Sequence, residues 1–235
     1  MDRIAVLASG GLDSSVLLAD EAKSAVVYPI YVRCGLAWED EEWKALNAFV
    51  NALSSPNVMQ PTTLAVPVTP MYGDHWSVGE SVPGADEPDT SVFLPGRNIL
   101  LIGLAAVWCS THNVDCVGIG SLGGNPFPDA SIDFFQSFAS ALSTGLGHAV
   151  KVKASFRDLR KSAVIKRFEH LSLELTLSCM APTHGRHCGQ CNKCSERQVA
   201  FERSGVADLT DYVTGRANSE PHRVSPYAIS NNRTG

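Results

Sequence analysis

Long apolar runs and a leader-like start are both missing from this sequence. No stretch approaches the roughly 18 consecutive apolar residues that a membrane-spanning helix needs. The chain enters the strand-like run Ile4–Leu7 almost at once, without the charged and apolar regions of a signal peptide. We therefore expect a cytoplasmic chain with no membrane segment.

A surplus of basic residues is also missing. The 235 residues include 19 lysines and arginines against 24 acidic residues, which gives a formal net charge of −5. General nucleic-acid binders usually carry a basic surplus, so this class is disfavoured. The composition, 44% hydrophobic and 18% charged, is that of an ordinary globular protein long enough to bury a core.

Two familiar nucleotide-binding signatures are incomplete near the N-terminus. The glycine-rich turn Ser9–Ser14 lies between an apolar strand-like run and an apolar helix-like run. No Gly-Lys-Ser/Thr closes the turn, which excludes the mononucleotide P-loop, and the third glycine of the dinucleotide fingerprint is absent. What remains is Ser-Gly-Gly-x-Asp-Ser at a predicted strand-to-helix turn.

This turn has the chemistry of a phosphate site. Gly10 and Gly11 let the backbone approach an anion closely, and the free N–H groups at a helix N-terminus favour phosphate. Ser9 and Ser14 add hydroxyl donors. Asp13 either caps the helix or helps to hold a metal ion bound to phosphates. The alternative is a β–α turn that binds nothing.

Short apolar runs alternate with helical patterns along the chain. We predict strands at 4–7, 26–32, 63–66, 116–120 and 150–152, and helices at 13–22, 39–54, 97–111, 131–147 and 159–170. Such alternation is typical of an α/β fold with a doubly wound, mostly parallel sheet, here of five strands. Ligands of such folds bind beyond the carboxyl ends of the strands. Pro29 fits a bulge or a late strand start better than a central strand position.

One long loop is predicted between the third strand and the third helix. Residues 67–96 contain five prolines and the acidic patch Asp86–Asp89. A loop of this length is either a functional lid or a solvated acidic segment.

Four of the seven cysteines are clustered near the C-terminus. Their spacing is Cys-x8-Cys-x2-Cys-x2-Cys, and they are Cys179, Cys188, Cys191 and Cys194. In a reducing compartment such clustering favours a metal site, and four thiolates complete the tetrahedron of a structural zinc ion. An iron–sulfur cluster uses the same ligands, and free thiols are a third interpretation. We expect His184 and His187 to be loop residues, not ligands.

Residues 93–100 carry a further feature, Phe-Leu-Pro-Gly-Arg-Asn-Ile-Leu. Together with the glycine turn and the cysteine cluster, it resembles the 7-cyano-7-deazaguanine synthase (QueC) family of pyrophosphate-loop ATP pyrophosphatases. The resemblance extends from about residue 4 to about residue 201. It implies an adenine nucleotide alpha hydrolase-like, Rossmann-like fold, with an ATP pyrophosphatase domain at 1–175, a zinc-binding helical element at 176–215 and a polar tail at 216–235.

The resemblance implies an ATP-dependent carbon–nitrogen ligase of queuosine biosynthesis. In that family ATP adenylates the carboxylate of 7-carboxy-7-deazaguanine, ammonia displaces AMP, and a second ATP drives dehydration of the amide to a nitrile. The implied cofactors are ATP, Mg²⁺ and Zn²⁺, and the implied assembly is a homodimer.

The resemblance also implies roles for individual residues. Three would be catalytic: Asp13 toward Mg²⁺, Arg97 toward phosphate or carboxylate, and Lys161 toward the leaving pyrophosphate. Phe127 and Asp129 would join Arg97 in binding the substrate, by stacking and by hydrogen bonds to a guanine-like edge. The residues expected to bind ATP are Ala8, Ser9, Gly10, Gly11, Leu12, Asp13, Ser14, Ser15, Val16, Leu17 and Leu18.

Each of these roles has a structural alternative. Arg97 would form an ordinary ion pair at a helix start, and Lys161 would be an ordinary lysine at a helix start. A turn that ends in a helix cap, at Asp129 or Ser131, competes with the substrate-binding role.

Two stretches depart from the family pattern beside the implied acceptor pocket. Residues 34–38, Cys-Gly-Leu-Ala-Trp, stand where the family usually has Tyr-Gly-Gln-Arg-His, and residues 128–131, Pro-Asp-Ala-Ser, replace Pro-Asp-Cys-Arg. ATP cleavage is therefore better supported than the identity of the acid. A relative that joins the adenylated acid to an amine of a protein or nucleoside stays open, as do an amide product and a non-catalytic nucleotide-binding module.

Overall fold

The computed structural model describes residues 1–79 and 81–213. Its five strands are Asp2–Leu7 (β1), Ala25–Arg33 (β2), Thr62–Ala65 (β3), Cys116–Gly118 (β4) and Lys151–Lys153 (β5). The α-helices are Leu12–Glu21 (α1), Glu39–Leu53 (α2), Thr69–Tyr72 (α3), Arg97–His112 (α4), Ile132–Leu146 (α5), Lys161–Arg167 (α6) and Asn192–Ser204 (α7). Within these residues, no helix has the length and apolar character to cross a membrane.

The five strands form one parallel sheet in the order β3-β2-β1-β4-β5. The fold class predicted from the alternating apolar runs is therefore confirmed. The chain builds the sheet outward from β1 in one direction and then, starting with β4, in the other. The loops that follow β1 and β4 diverge at this switch point and leave a crevice for a ligand. The loop after β1 is the glycine turn Ser9–Ser14.

Both faces of the sheet are buried. Consecutive residues of a strand point to opposite faces. In β1, Ala5 and Leu7 pack in an apolar cluster with α4, whereas Ile4 and Val6 pack in a second cluster with α1. A strand covered on both sides reads as a continuous apolar run without alternation, which is why β1 was visible in the sequence.

Pro29 lies inside β2, opposite Val6 of β1, so the expected bulge or late strand start is wrong. The neighbouring Ile30 carbonyl accepts a hydrogen bond from Ala8 N, on the β1 side of β2. The backbone N–H and carbonyl of Val27 instead form hydrogen bonds with residues on the other side of β2. Alternation along the strand therefore turns Pro29 toward β3. Pairing with β3 begins only at Thr62, opposite Ile30, so the missing N–H of the proline interrupts no ladder bond.

Two other segments differ in detail from the sequence-based expectation. The helix predicted at 159–170 is only Lys161–Arg167, because Arg160 is extended and Phe168 leaves helical geometry. The predicted loop at 67–96 contains α3 and short 3₁₀ turns at 76–78 and 89–92.

The segment at 83–89 is attached to the C-terminal element. The backbone N–H of Asn192 donates to the Pro83 carbonyl at 3.0 Å, and Gly84 forms an antiparallel bridge with Cys191. The predicted polar tail at 216–235 lies outside the described residues.

Candidate active site and metal centre

The glycine turn is held by its own hydroxyl groups. Ser9 N donates to Ser14 Oγ at 3.2 Å, Gly11 N donates to Ser9 Oγ at 3.2 Å, and Ser14 Oγ donates to the Gly11 carbonyl at 3.1 Å. Gly10 has φ +78° and packs so closely on α2 that a Cβ would collide with the Glu42 carbonyl oxygen. This position therefore excludes any side chain on two independent grounds.

Two further segments pass close to the turn. Leu177 N donates to the Gly10 carbonyl at 2.9 Å, which joins the turn to the chain just before the first clustered cysteine. A Cβ on Gly120, after β4, would lie 3.0 Å from Ser14 N. Gly120 therefore packs against the first turn of α1, whose N–H groups have no intrahelical acceptor and are available to an anion.

A chain of four alternating charges lies beside the turn. Lys161 Nζ is 3.2 Å from Asp13 Oδ2 and 2.5 Å from Glu196 Oε1, and Lys193 Nζ is 2.7 Å from Glu196 Oε2. Asp13 Oδ1 is buried and has no hydrogen-bond partner among the described residues. The N-terminal parts of α1, α6 and α7 therefore present two cations and two carboxylates to one place.

Burial and pairing set the ionisation of these groups. Burial raises the pKa of the Asp13 carboxyl, although the nearby Lys161 opposes this shift. Burial would lower the pKa of the Lys161 amine, but Asp13 and Glu196 outweigh it and raise that pKa above its ordinary value. Burial would likewise raise the pKa of Glu196, yet Lys161 and Lys193 lower it to about 2. Lys161 and Glu196 are therefore charged at neutral pH.

The glycine turn and this charge network line a single cleft of about 850 Å³. Arg97 and Phe127, both predicted to bind substrate, line the same cleft. Phe127 stacks on Phe93 with ring centroids 5.0 Å apart. Arg97 opens α4 after Gly96, whose φ is +70°, and its buried Nε has no hydrogen-bond partner among the described residues. A cation with an unused donor in a cleft is suited to an anionic ligand.

Asp129 is placed differently from its predicted partners. Its side chain is buried, it does not line the cleft, and its Oδ2 accepts from Asn98 N at 3.0 Å in the first turn of α4. Asn98 Nδ2 returns a bond to the Asp129 carbonyl at 3.0 Å. The carboxylate therefore accepts a hydrogen bond from a backbone N–H at the N-terminus of α4 that has no partner within the helix. This bond fixes the start of the helix that carries Arg97. Ser131 caps α5 by accepting from Phe134 N.

The stretch at 34–38 is supported by two buried glutamates that the sequence analysis did not single out. Glu39 accepts from the backbone N–H groups of Cys34 and Gly35. Glu42 accepts from Tyr31 Oη and Trp38 Nε1, each at 3.1 Å. Burial raises the pKa of Glu42 to about 7, against the opposing charge of Arg97.

Four functional candidates in the cleft were missed: Glu42, Trp76, Asn192 and Glu196. Glu42 follows Trp38 by one helical turn, so the pair could have been recognised from the i,i+4 spacing. Glu196 follows Lys193 by three residues on the helix that carries the last cysteine. Trp76 and Asn192 gave no local signal, because only the tertiary structure brings them to the cleft.

The four predicted cysteine ligands come together. Their sulfur atoms all lie within 4.8 Å of one another, with 3.9 Å between Cys188 and Cys194 and 4.0 Å between Cys179 and Cys191. A tetrahedron with zinc–sulfur bonds of about 2.3 Å has edges of about 3.8 Å, so the set fits one such ion. Backbone N–H groups of Ala181 and Cys188 point at the Cys179 sulfur, as suits a thiolate.

The nearby histidines contribute no ligand to this cluster. His187 Nε2 accepts from Ser178 N at 3.0 Å, and its ring contacts Tyr212 edge-on. Burial lowers the pKa of His187 to about 4, so the ring is neutral at pH 7. The metal-ligating set within the described residues is thus made of sulfur alone.

Comparison with known proteins decides the family. The model of the family described as "Queuosine biosynthesis protein QueC" matches residues 3–205. The chain belongs to the QueC family. The resemblance drawn from the glycine turn, the Pro-Gly-Arg-Asn segment and the cysteines is therefore confirmed.

Two sequence relatives agree with this membership. The chain is 30% identical over 228 residues to a 7-cyano-7-deazaguanine synthase of Methanopyrus kandleri, covering 88% of this chain and 97% of that protein. It is also 30% identical over 131 residues to the 7-cyano-7-deazaguanine synthase of Methanobrevibacter smithii, covering 54% of this chain and 57% of that one. A solved structure of a predicted subunit of tRNA methyltransferase from Methanocaldococcus jannaschii overlaps 69% of this chain and 73% of its own, with a TM-score of 0.46 and 13% identity.

Proposed function

We propose that the protein is an ATP-dependent ligase that adenylates 7-carboxy-7-deazaguanine and joins it to ammonia, with 7-cyano-7-deazaguanine as product. Membership of the QueC family supports the reaction class. The single observation that carries the proposal is the glycine turn at the start of α1 with Lys161 and Asp13 beside it, since the first-turn N–H groups of α1 and a fixed cation are both available to a polyphosphate.

The reaction begins with a triphosphate on the turn. Ala8, Ser9 and the residues from Gly11 to Ser14 line the cleft and receive ATP, with Ser9, Gly10, Gly11 and Ser14 on the β- and γ-phosphates. The other residues predicted to bind ATP, Ser15 to Leu18, are fully buried and do not line the cleft. A carboxylate oxygen of the acid attacks the α-phosphorus, and the bond to the β-phosphate oxygen breaks. Lys161 stabilises the negative charge that develops on the departing pyrophosphate. The buried Oδ1 of Asp13, which has no partner among the described residues, is the atom suited to hold Mg²⁺, which would neutralise phosphate charge when bound.

The later steps use the same cleft. Ammonia attacks the acyl carbon of the mixed anhydride, the carbon–oxygen bond to AMP breaks, and a proton is released to give the amide. A second ATP activates the amide oxygen in the same way. Loss of AMP with the two amide protons then leaves the nitrile. Arg97 donates the hydrogen bonds that orient the acid in the first round and the amide in the second.

The cysteine cluster has a structural role in this proposal. Cys179, Cys188, Cys191 and Cys194 would hold Zn²⁺ with four protein ligands, which would leave no position for substrate. Their element carries Glu196 and Lys193 to the cleft, so the metal supports the site through the start of α7. We also propose that the enzyme is cytoplasmic. We propose further that it is a homodimer, and sedimentation equilibrium of the full chain tests this assembly.

A second candidate function is favoured by the altered pocket. Cys34–Trp38 lacks three polar residues of the family pattern, and Trp38 stacks on Trp76 with centroids 5.8 Å apart. A more apolar wall suits an acceptor larger than ammonia, such as an amine of a protein or nucleoside. An amide is then the final product.

One experiment separates these possibilities. The protein is incubated with ATP, Mg²⁺, ammonium and 7-carboxy-7-deazaguanine, and AMP and product masses are measured. AMP with the nitrile mass supports the first function, and AMP with the amide mass supports a single round of adenylation. AMP that accumulates only with another amine supports the second function. Absence of AMP with every acid tried contradicts both and favours a non-catalytic nucleotide-binding module.

A further inference from the structure

Asn192 is the first residue of α7 and lies between two clustered cysteines, Cys191 and Cys194. Its side chain is only 4% exposed, and it lines the cleft. Its Nδ2 donates to the Glu87 carbonyl at 2.8 Å and lies 3.5 Å from Asp89 Oδ1. Both neighbours are acceptors, so the nitrogen of the amide must face the segment at 83–89.

The other end of this amide is unused. Asn192 Oδ1 is buried and accepts no hydrogen bond within the described part of the chain. Native proteins rarely leave a buried acceptor unpaired unless a ligand, an ion or water completes it. This oxygen is not needed to hold the 83–89 segment against the start of α7. Nδ2 and the backbone N–H of Asn192 already donate hydrogen bonds to that segment.

Two unpaired donors line the same cleft. Trp76 Nε1 and Arg97 Nε are buried without acceptors among the described residues. A ligand complementary to this set presents oxygen atoms to the tryptophan and arginine and an N–H group to the asparagine. This pattern matches an acid that also bears N–H donors, or an acid together with an incoming amine.

We propose that Asn192 is a specificity-determining residue whose Oδ1 accepts a hydrogen bond from an N–H group of the bound reactants. The inference rests on the proposed function and deepens it, because Asn192 would select reactants that carry an N–H group at this position. A site with a buried acceptor strongly rejects an analogue that leaves the acceptor unpaired. The N–H belongs either to the acid or to the amine, and not to the adenine amino group of ATP.

Two substitutions separate this role from attachment of the 83–89 segment. Asn192→Asp keeps the acceptor and removes the donor to Glu87. Asn192→Leu is similar in size and removes both. KM values for 7-carboxy-7-deazaguanine, ammonium and ATP are measured for each variant in the full-length zinc-loaded protein, and metal content and melting temperature verify folding.

We expect Asn192→Leu to raise the KM of one N–H-bearing reactant about tenfold, with the KM of ATP unchanged. Asn192→Asp should restore most of the loss. A rise for the acid assigns the N–H to the acid, and a rise for ammonium assigns it to the amine. Equal losses in both variants would mean that Asn192 only attaches the segment, and unchanged KM values in both would also overturn the proposal.

Failure of the proposed function is distinguishable from failure of this inference. If the wild-type protein forms no AMP with this acid, the proposed function fails. Calorimetric Kd values of the acid, with and without saturating ammonium, then test the asparagine independently in wild type and Asn192→Leu. About tenfold weaker binding by the variant in either condition supports the role, whereas equal binding in both conditions, or no binding by either protein, contradicts it.

Discussion

Lys161 lies between two carboxylates of different elements, 3.2 Å from Asp13 in α1 and 2.5 Å from Glu196 in α7. The ammonium group thereby links the glycine turn, α6 and the cysteine-bearing element at one point. A cation held in this way is positioned before nucleotide arrives, so it needs little reorganisation when charge develops on a phosphate.

Replacement of Lys161 by methionine should reduce AMP formation about 100-fold or more, since one pre-positioned charge is lost. Pyrophosphate release with acid and ammonium measures the effect. Lys151→Met in β5 is the matched control, because its exposed side chain lies outside the cleft and should leave the rate unchanged. Equal rates in Lys161→Met and wild type would contradict the role of Lys161.

Gly10→Ala should lower both stability and nucleotide binding. The φ of +78° is strained for alanine, and the new Cβ would collide with the Glu42 carbonyl oxygen. We expect a loss of about 2 kcal/mol or more in the free energy of unfolding, measured with urea. Gly145→Ala in α5 is the control: a Cβ there meets nothing within 4 Å, so the change should be neutral or slightly stabilising.

Glu42→Gln should raise stability at alkaline pH. Burial raises the pKa of Glu42 to about 7 in the folded protein, above its unfolded value of about 4.5, so the folded state binds the proton more tightly. The wild type therefore loses stability as the pH rises from about 4.5 to about 7 and stays lower above that range.

The difference in the free energy of unfolding between wild type and Glu42→Gln, measured at two pH values, isolates the contribution of Glu42. Urea unfolding at pH 5 and pH 8 should show the glutamine variant gaining, relative to wild type, up to about 3 kcal/mol between the two values. A difference that is independent of pH would show that Glu42 is ionised normally.

Cys191→Ser should lower metal content and stability together, because binding of a structural ion contributes directly to folding. Atomic emission gives the metal stoichiometry and its identity, which separates zinc from an iron–sulfur cluster. Cys116→Ser, at the cysteine of β4 outside the cluster, should retain the full metal content. A Cys191→Ser protein that stays folded without metal would contradict the structural role.

The sequence predicted the parts of this molecule that depend on local pattern. The strands and most helices follow from apolar runs, and the four cysteines follow from their spacing. The sequence could not predict which neighbouring strand Pro29 faces. The proline fits inside β2 because pairing with β3 begins only after it, and the start of β3 depends on the tertiary structure. The sequence also could not predict the partners of Glu42 and Asn192, since the contact of Asn192 with Glu87 joins segments 105 residues apart.

The most direct test of adenylation is the fate of the carboxylate oxygen. The acid labelled with ¹⁸O in both carboxyl oxygens is incubated with unlabelled ATP, Mg²⁺ and ammonium, and AMP is examined by mass spectrometry. If the glycine turn delivers the α-phosphorus to the acid, each AMP formed carries one ¹⁸O. Unlabelled AMP, or release of ADP instead, would contradict the account.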